Sequence, residues 1–117
     1  MPGYSDCIFC KIAAKEIPAS VLYEDNGIIA IADINPVAPV HILIIPKEHI
    51  SSLLEINENH QVLLGKMQLM AAKLANEAGI SDSGCRLVCN CGEDGGQTVS
   101  HLHYHLLGGR KMQWPPG

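Results

Sequence analysis

Apolar and polar positions along this chain change their period several times, and each change marks an element. Leu63, Leu64, Met67, Met70, Ala71, Leu74 and Ala78 recur at helical spacing and make one apolar stripe. They predict a long helix over residues 57–78, with Gly79 where a C-terminal cap belongs. A short helix is expected over residues 7–15, capped by Ser5 or Asp6 and ending before Pro18. Val21–Glu24 and Ile28–Ala32 flank Asp25-Asn26-Gly27, a hairpin signal. Residues 35–39 read as a rigid loop, and residues 40–45 are apolar and β-branched enough for a central strand that Pro46 ends. Residues 84–90 and 101–107 read as two more strands. Strands outnumber helices and most neighbours look hairpin-linked. The expectation is one α+β domain over residues 1–117: an antiparallel sheet with helices packed on one face.

Composition narrows the class. A length of 117 residues suits one core, and 47% hydrophobic against 17% charged residues argues for a packed globule. Aromatics are 4%, so the core must be mostly aliphatic. The apolar stretch 37–46 is too short for a membrane span and holds a histidine, and the N-terminus lacks the basic start and apolar run of a signal peptide. A cytoplasmic protein without membrane contact is expected. The net charge of −4 argues against a nucleic-acid polymer as ligand but leaves a mononucleotide open. Five cysteines, an odd number without an export signal, point to reduced thiols or a metal site rather than disulfides.

Candidate chemistry concentrates in His101-Leu102-His103-Tyr104-His105. On a strand, these three histidines share one face at spacings of roughly 6.6 Å, while Leu102, Tyr104 and Leu106 turn into the core. Imidazoles are poor core filling, because both ring nitrogens need partners. An exposed, merely histidine-rich face is the plain alternative, and a metal site would need ligands from elsewhere. Phosphate chemistry fits the row better: imidazole is a good nucleophile near neutral pH, and its neighbours can hydrogen-bond phosphoryl oxygens. Just upstream, residues 93–98 (Glu-Asp-Gly-Gly-Gln-Thr) can expose backbone N–H groups, and Thr98 adds a hydroxyl.

The alternation of histidine with apolar residues over 101–107 resembles the signature of the histidine triad family. Asp33-Ile34, the run 39–46 around His41, Lys47-Glu48-His49-Ile50, Asn90, Asp94-Gly95-Gly96-Gln97, Gly108-Gly109-Arg110 and the terminal Trp114-Pro115-Pro116-Gly117 resemble its nucleotide-binding, phosphoramidase-like branch, of bacterial zinc-containing type. The resemblance spans almost the whole chain. It implies an α+β meander of about five antiparallel strands with two main helices, and a homodimer whose sheets join across a two-fold axis.

The resemblance also implies roles. His103 would attack the α-phosphorus of a purine nucleoside 5′-phosphoramidate, an amine would leave, and water would release the nucleoside monophosphate from a nucleotidyl-imidazole. His105 and His41 would hold phosphate oxygens or relay protons. Thr98, the Gly96 and Gln97 backbone, and Asn90 would complete the phosphate cradle. Asp33 would take the ribose hydroxyls, and Phe9, Ile12, Ile17 and Ile34 would line an apolar slot for the base, although each alone reads as core. Trp114 would fold near the partner's site or simply anchor the tail. Relatives of the bacterial type further imply a structural zinc on Cys7, Cys10, His49 and His101. The Cys7-Ile8-Phe9-Cys10 spacing independently suits a metal pair better than a redox pair, since no strand precedes it. Assigning His101 to zinc leaves catalysis to His103, His105 and His41. Cys85, Cys89 and Cys91 read as free thiols, and His60, Lys11, Lys15, Lys66 and Lys73 as solvent-facing positions. Two competing functions stand beside the phosphoramidase: a dinucleoside polyphosphate hydrolase and a nucleotide-binding scaffold with incidental catalysis.

Overall fold

The structure, a computed structural model, describes residues 6–117. The expected Ser5 cap lies outside the described residues. Five strands, β1 (Val21–Glu24), β2 (Ile28–Ala32), β3 (Val40–Pro46), β4 (Cys85–Val88) and β5 (Tyr104–Gly108), form one antiparallel sheet in the order β1-β2-β3-β5-β4. The first three meander; the last pair joins with β5 inward and leaves β4 as an edge. Asp25 makes the first hairpin turn: its Oδ1 accepts from the Gly27 and Ile28 amides, both at 2.8 Å.

The helices are α1 (Ile8–Ala13) and α2 (Gln61–Glu77). Cys7, not Asp6, caps α1, and its sulfur accepts from the Cys10 amide. The helix stops short of the expected residue 15, because Ala14 caps it and Lys15 takes φ 65° and pairs with Glu24. The long helix also starts later than expected. Asn57 caps a separate 3-10 turn, Glu58–His60, before α2 begins. His60 is not the solvated residue expected: its Nδ1 accepts from the Asn57 amide and its Nε2 lies 3.2 Å from Glu48 Oε2. At the far end, Gly79 at φ 76° lets its own amide reach Asn76 O and that of Ile80 reach Ala75 O, a Schellman cap. Of the stripe, Met67, Ala71 and Leu74 are buried with Ala75, whereas Ala78 is exposed.

Two apolar clusters cover the two faces of the sheet. Ile28, Ala30, Ile42, Ile44, Tyr104 and Leu106 pack against α2. Ile29, Ile31, Leu43 and Ile45 pack against Phe9 and Ile12 of α1. The helices therefore lie on opposite faces, not on one as expected. β2 and β3 are apolar at successive positions, and such runs require cover on both sides. Burying one isoleucine fully contributes about 1.5–3 kcal/mol, so leaving the second face uncovered would forfeit about that much at each of Ile29, Ile31, Leu43 and Ile45. No helix among the described residues is long and apolar enough to cross a membrane.

The strands expected over 84–90 and 101–107 are shorter, Cys85–Val88 and Tyr104–Gly108. His101 and His103 therefore precede β5 instead of lying on it. The reason is the backbone pairing: the His101 amide bonds Val99 O at 2.8 Å and the Leu102 amide bonds Ile50 O at 2.6 Å, so this backbone pairs with loops.

Candidate active site and metal centre

The face carrying α1 also carries the histidines. β3 pairs with β5 so that His41 stands opposite Leu107, and Leu43 opposite His105. His41 and His105 are thus diagonal neighbours on one face, together with Leu43, and His41 Nε2 lies 2.9 Å from His105 Nδ1. The ring of His103 comes next, 5.0 Å from that of His105 between centroids. Phe9 closes the row from α1, edge-on to His103 at 4.9 Å and to His101 at 5.8 Å.

Hydrogen bonds assign each ring its tautomer. His103 Nδ1 lies 2.7 Å from the His101 carbonyl, which can only accept, so the proton is on Nδ1 and Nε2 keeps its lone pair. His41 Nδ1 accepts from the Val37 amide at 3.1 Å, so its proton is on Nε2, facing His105 Nδ1 and, at 3.3 Å, Asp33 Oδ2. His105 Nδ1 is then the acceptor, and its Nε2 carries the proton. Burial, reinforced by His103 and His41, holds His105 down at about 4, and burial lowers His103 as well. At neutral pH the site therefore offers a bare nucleophilic nitrogen beside a neutral N–H donor. Asp33, His41 and His105 could each offer one ligand atom to a cation. The Val37 amide opposes it, because a metal on His41 Nε2 would push the proton onto Nδ1, against that amide.

The loop before the histidines differs from expectation in its donors. The Gly96 amide bonds Glu93 O and the Gln97 amide bonds Gly92 O, both at 3.0 Å, so neither N–H of the expected cradle is available. The Gln97 side chain is equally engaged: its amide group donates to Ser51 O at 2.8 Å and Val99 O at 2.9 Å, and accepts from the Gly92 amide at 3.0 Å. Gln97 is a clamp on the loop. Gly95 is required there, since a Cβ would come 2.4 Å from Cys91 O. Thr98 is exposed and lines a surface cavity of about 450 Å³ with Cys7, His49 and Ser51. Asn90 is half-buried just beyond β4.

At the expected nucleoside end, Asp33 follows β2, its Oδ1 accepting from the Asn35 amide at 2.8 Å while Oδ2 faces His41. Phe9 and Ile12 are buried in the α1 cluster and Ile17 packs against it, but Ile34 is 90% exposed. Trp114 is 83% exposed.

The second constellation is Cys7, Cys10, His49 and His101, whose ligand atoms all lie within 4.8 Å of one another. Cys7 Sγ is 3.2 Å and Cys10 Sγ 3.6 Å from His101 Nδ1, and Cys10 Sγ is 3.2 Å from His49 Nδ1. His101 Nε2 lies 2.7 Å from the Pro46 carbonyl, so its proton is there and Nδ1 turns a lone pair toward the thiols. That is the outer support a metal-bound histidine needs. Two sulfurs and two imidazole nitrogens at these separations fit a tetrahedral, borderline-soft divalent cation. Burial and Cys7 push the Cys10 thiol up to about 11, a preference that a bound cation would reverse by taking the thiolate. Cys85, Cys89 and Cys91 are free cysteines.

A row of histidines on an antiparallel sheet beside a Cys/His cluster defines a class, and comparisons agree with it. The sequence family described as "Scavenger mRNA decapping enzyme C-term binding" matches residues 6–114. A HIT-like protein of Synechococcus elongatus is 53% identical over 112 residues, 96% of this chain and 97% of that protein. Protein HitA of Neisseria gonorrhoeae is 52% identical over 103 residues, covering 88% of this chain and 95% of its own. Among solved structures, a HIT family hydrolase from Legionella pneumophila superposes with a TM-score of 0.94 at 53% identity, covering 96% of this chain and 100% of its own. A histidine triad protein from Clostridium difficile gives 0.89 at 48% identity, covering 92% and 94%. The chain belongs to the histidine triad (HIT) family.

Proposed function

We propose that this protein is a hydrolase acting on phosphorus–nitrogen bonds, a purine nucleoside phosphoramidase that releases a nucleoside monophosphate and an amine. The observation that supports it most is the His103 tautomer: a buried imidazole whose Nδ1–H is held by the His101 carbonyl keeps Nε2 as a nucleophile. In this reading His103 Nε2 forms a bond to the α-phosphorus as the P–N bond breaks. The amine leaves with a proton relayed through His105 and His41. Water then attacks the nucleotidyl-imidazole and gives up a proton that restores the His105–His41 pair, the P–Nε2 bond breaks, and the monophosphate departs. His105 Nε2–H and the Thr98 hydroxyl stabilise the phosphoryl oxygens, with Asn90 on the same side. A carboxylate has about four lone-pair sites, so Asp33 can accept ribose hydroxyls beyond Asn35 and His41. Phe9, Ile12 and Ile17 supply the apolar wall toward the base, with Ile34 at the rim.

Zinc is the cation proposed for Cys7, Cys10, His49 and His101, where it would tie α1 and the β3 exit to the segment carrying the nucleophile. The protein is proposed to work in the cytoplasm as a homodimer joined along the β4 edge and α2. The β4 edge, unpaired among the described residues, and the exposed Val62 and Leu69 of α2, at 71% and 74%, favour that surface.

The test is turnover of adenosine 5′-phosphoramidate by wild type and His103→Ala, with dinucleoside tetraphosphate as comparison. AMP release with at least about a hundredfold loss in the variant supports the reading. Preferred cleavage of the tetraphosphate moves the protein to the polyphosphate hydrolases. Tight AMP binding by wild type with no turnover of either substrate makes it a binding protein.

A further inference from the structure

The Gly108-Gly109-Arg110 motif takes no part in the chemistry above, yet each of its positions is shaped by a close contact. At the end of β5, a Cβ on Gly108 would come 2.5 Å from Ile80 Cδ1, so the strand exit lies directly on the residue that follows the α2 cap. Gly109 takes φ 88°, and a Cβ there would come 2.8 Å from Pro39 Cβ. Two glycines thus let the chain turn tightly over Pro39. The turn brings Arg110 Nε to 3.0 Å from the Val37 carbonyl, while Nη1 donates to Lys111 O at 3.3 Å.

Val37 is the residue whose amide sets the tautomer of His41. Its peptide groups are therefore held from both sides, the N–H on His41 Nδ1 and the C=O on Arg110 Nε. From His41 the line continues to His105 through the 2.9 Å contact. Val37 itself is 59% exposed in the loop 35–39, so little apolar packing holds it in place. A guanidinium suits this task, because its Nε–H sits in a rigid plane and never loses its proton near neutral pH.

We propose that Arg110 is a positioning residue: by fixing Val37 it locks His41 and His105 as Nε2–H tautomers and decides that the outward edge of His105 is a donor. If Val37 shifts, only Asp33 Oδ2, 3.3 Å from Nε2, still favours the Nε2–H form, and His41 can also carry its proton on Nδ1 and accept at Nε2 from an Nδ1–H of His105. Both protons then sit on the opposite nitrogens, the count is unchanged, and His105 Nε2 becomes a lone pair. A lone pair facing a phosphoryl oxygen repels it. The consequence for catalysis rests on the phosphoramidase reading; the tautomer lock does not.

The experiment is two-bond 1H–15N correlation of the histidine rings in the free protein, for wild type, Arg110→Ala and Arg110→Met. The methionine variant keeps an unbranched apolar stem and removes every donor. Wild type is expected to show bare Nδ1 and protonated Nε2 on both His41 and His105. Both variants should show mixed tautomers on those two rings, with His103 unchanged and thermal midpoints close to wild type. With adenosine 5′-phosphoramidate, kcat should fall about tenfold to a hundredfold, as for other outer partners of functional histidines, with KM little altered. Unchanged His41 and His105 tautomers in the folded variants overturn the proposal, whatever turnover does. Should wild type fail to turn the substrate over, the phosphoramidase reading falls, and the ring spectra still decide the lock.

Discussion

At the scale of single residues, the site is a set of proton positions. His103 and His105 each have one nitrogen committed to a neighbour and His41 has both, and those commitments leave one lone pair and one N–H for a ligand. A stability consequence follows for His105. Its folded pKa of about 4 lies below the ordinary 6.5, so between these values the unfolded chain binds more protons than the folded one. Its contribution is whole above pH 6.5 and is lost as pH falls toward 4. Urea midpoints measured across that window should therefore drop more gently for His105→Asn than for wild type; parallel curves would refute the assignment. Gln97→Ala strips partners from the Gly92 amide and the Ser51 and Val99 carbonyls, and should cost about 1–3 kcal/mol in urea unfolding. An unchanged midpoint would mean that the loop is held by something else. The sequence revealed the histidines by their alternation, and Cys7 and Cys10 by their spacing. It hid their partners. Val37 and His41 are close in the chain, but His41 and His105 are 64 residues apart, and only the β3–β5 register makes them neighbours.

Among elements, the clearest signals were local ones. Asp25-Asn26-Gly27 made its hairpin and Gly79 its cap, because short side-chain bonds and one positive φ settle such turns within a few residues. The helix start moved from 57 to Gln61, because Asn57 spends its cap on a separate 3-10 turn. Placement of the helices on the two faces was also legible in principle. Ile28-Ile29-Ala30-Ile31 and Ile42-Leu43-Ile44-Ile45 do not alternate, and a strand apolar on both sides needs two covers. The late start of the last strand, at Tyr104 and not at His101, was not legible, because it depends on Leu102 bonding Ile50 across the loop. The meeting of β5 and α2 gives a prediction of its own. Gly108→Ala drives a methyl into Ile80, which is 3% exposed, and should destabilise by about 1–3 kcal/mol in urea unfolding. Gly108→Ala combined with Ile80→Ala should lose less than the sum of the single changes. Simple additivity would mean that the two groups do not meet.

Over the whole molecule, the Cys/His cluster joins segments that the chain keeps far apart: Cys7 and His101 are 94 positions from each other, and Cys10 and His49 are 39. His101 links this cluster to the histidine row, since its ring faces the thiols and its carbonyl holds the proton of His103. Protein purified without chelator should carry about one zinc per chain, and removal of the metal should lower the thermal midpoint. Less than about half a zinc per chain would refute the zinc proposal. Light scattering should return the mass of a dimer, and a monomer mass would remove the proposed β4 and α2 interface. His103, proposed as the nucleophile, should be caught carrying the nucleotide. Wild-type protein mixed with adenosine 5′-phosphoramidate, quenched rapidly and mapped by peptide mass at neutral to alkaline pH, should carry adenylate on His103, and His103→Asn should carry none. Adenylate on another residue, or turnover that persists in His103→Asn, would contradict the account.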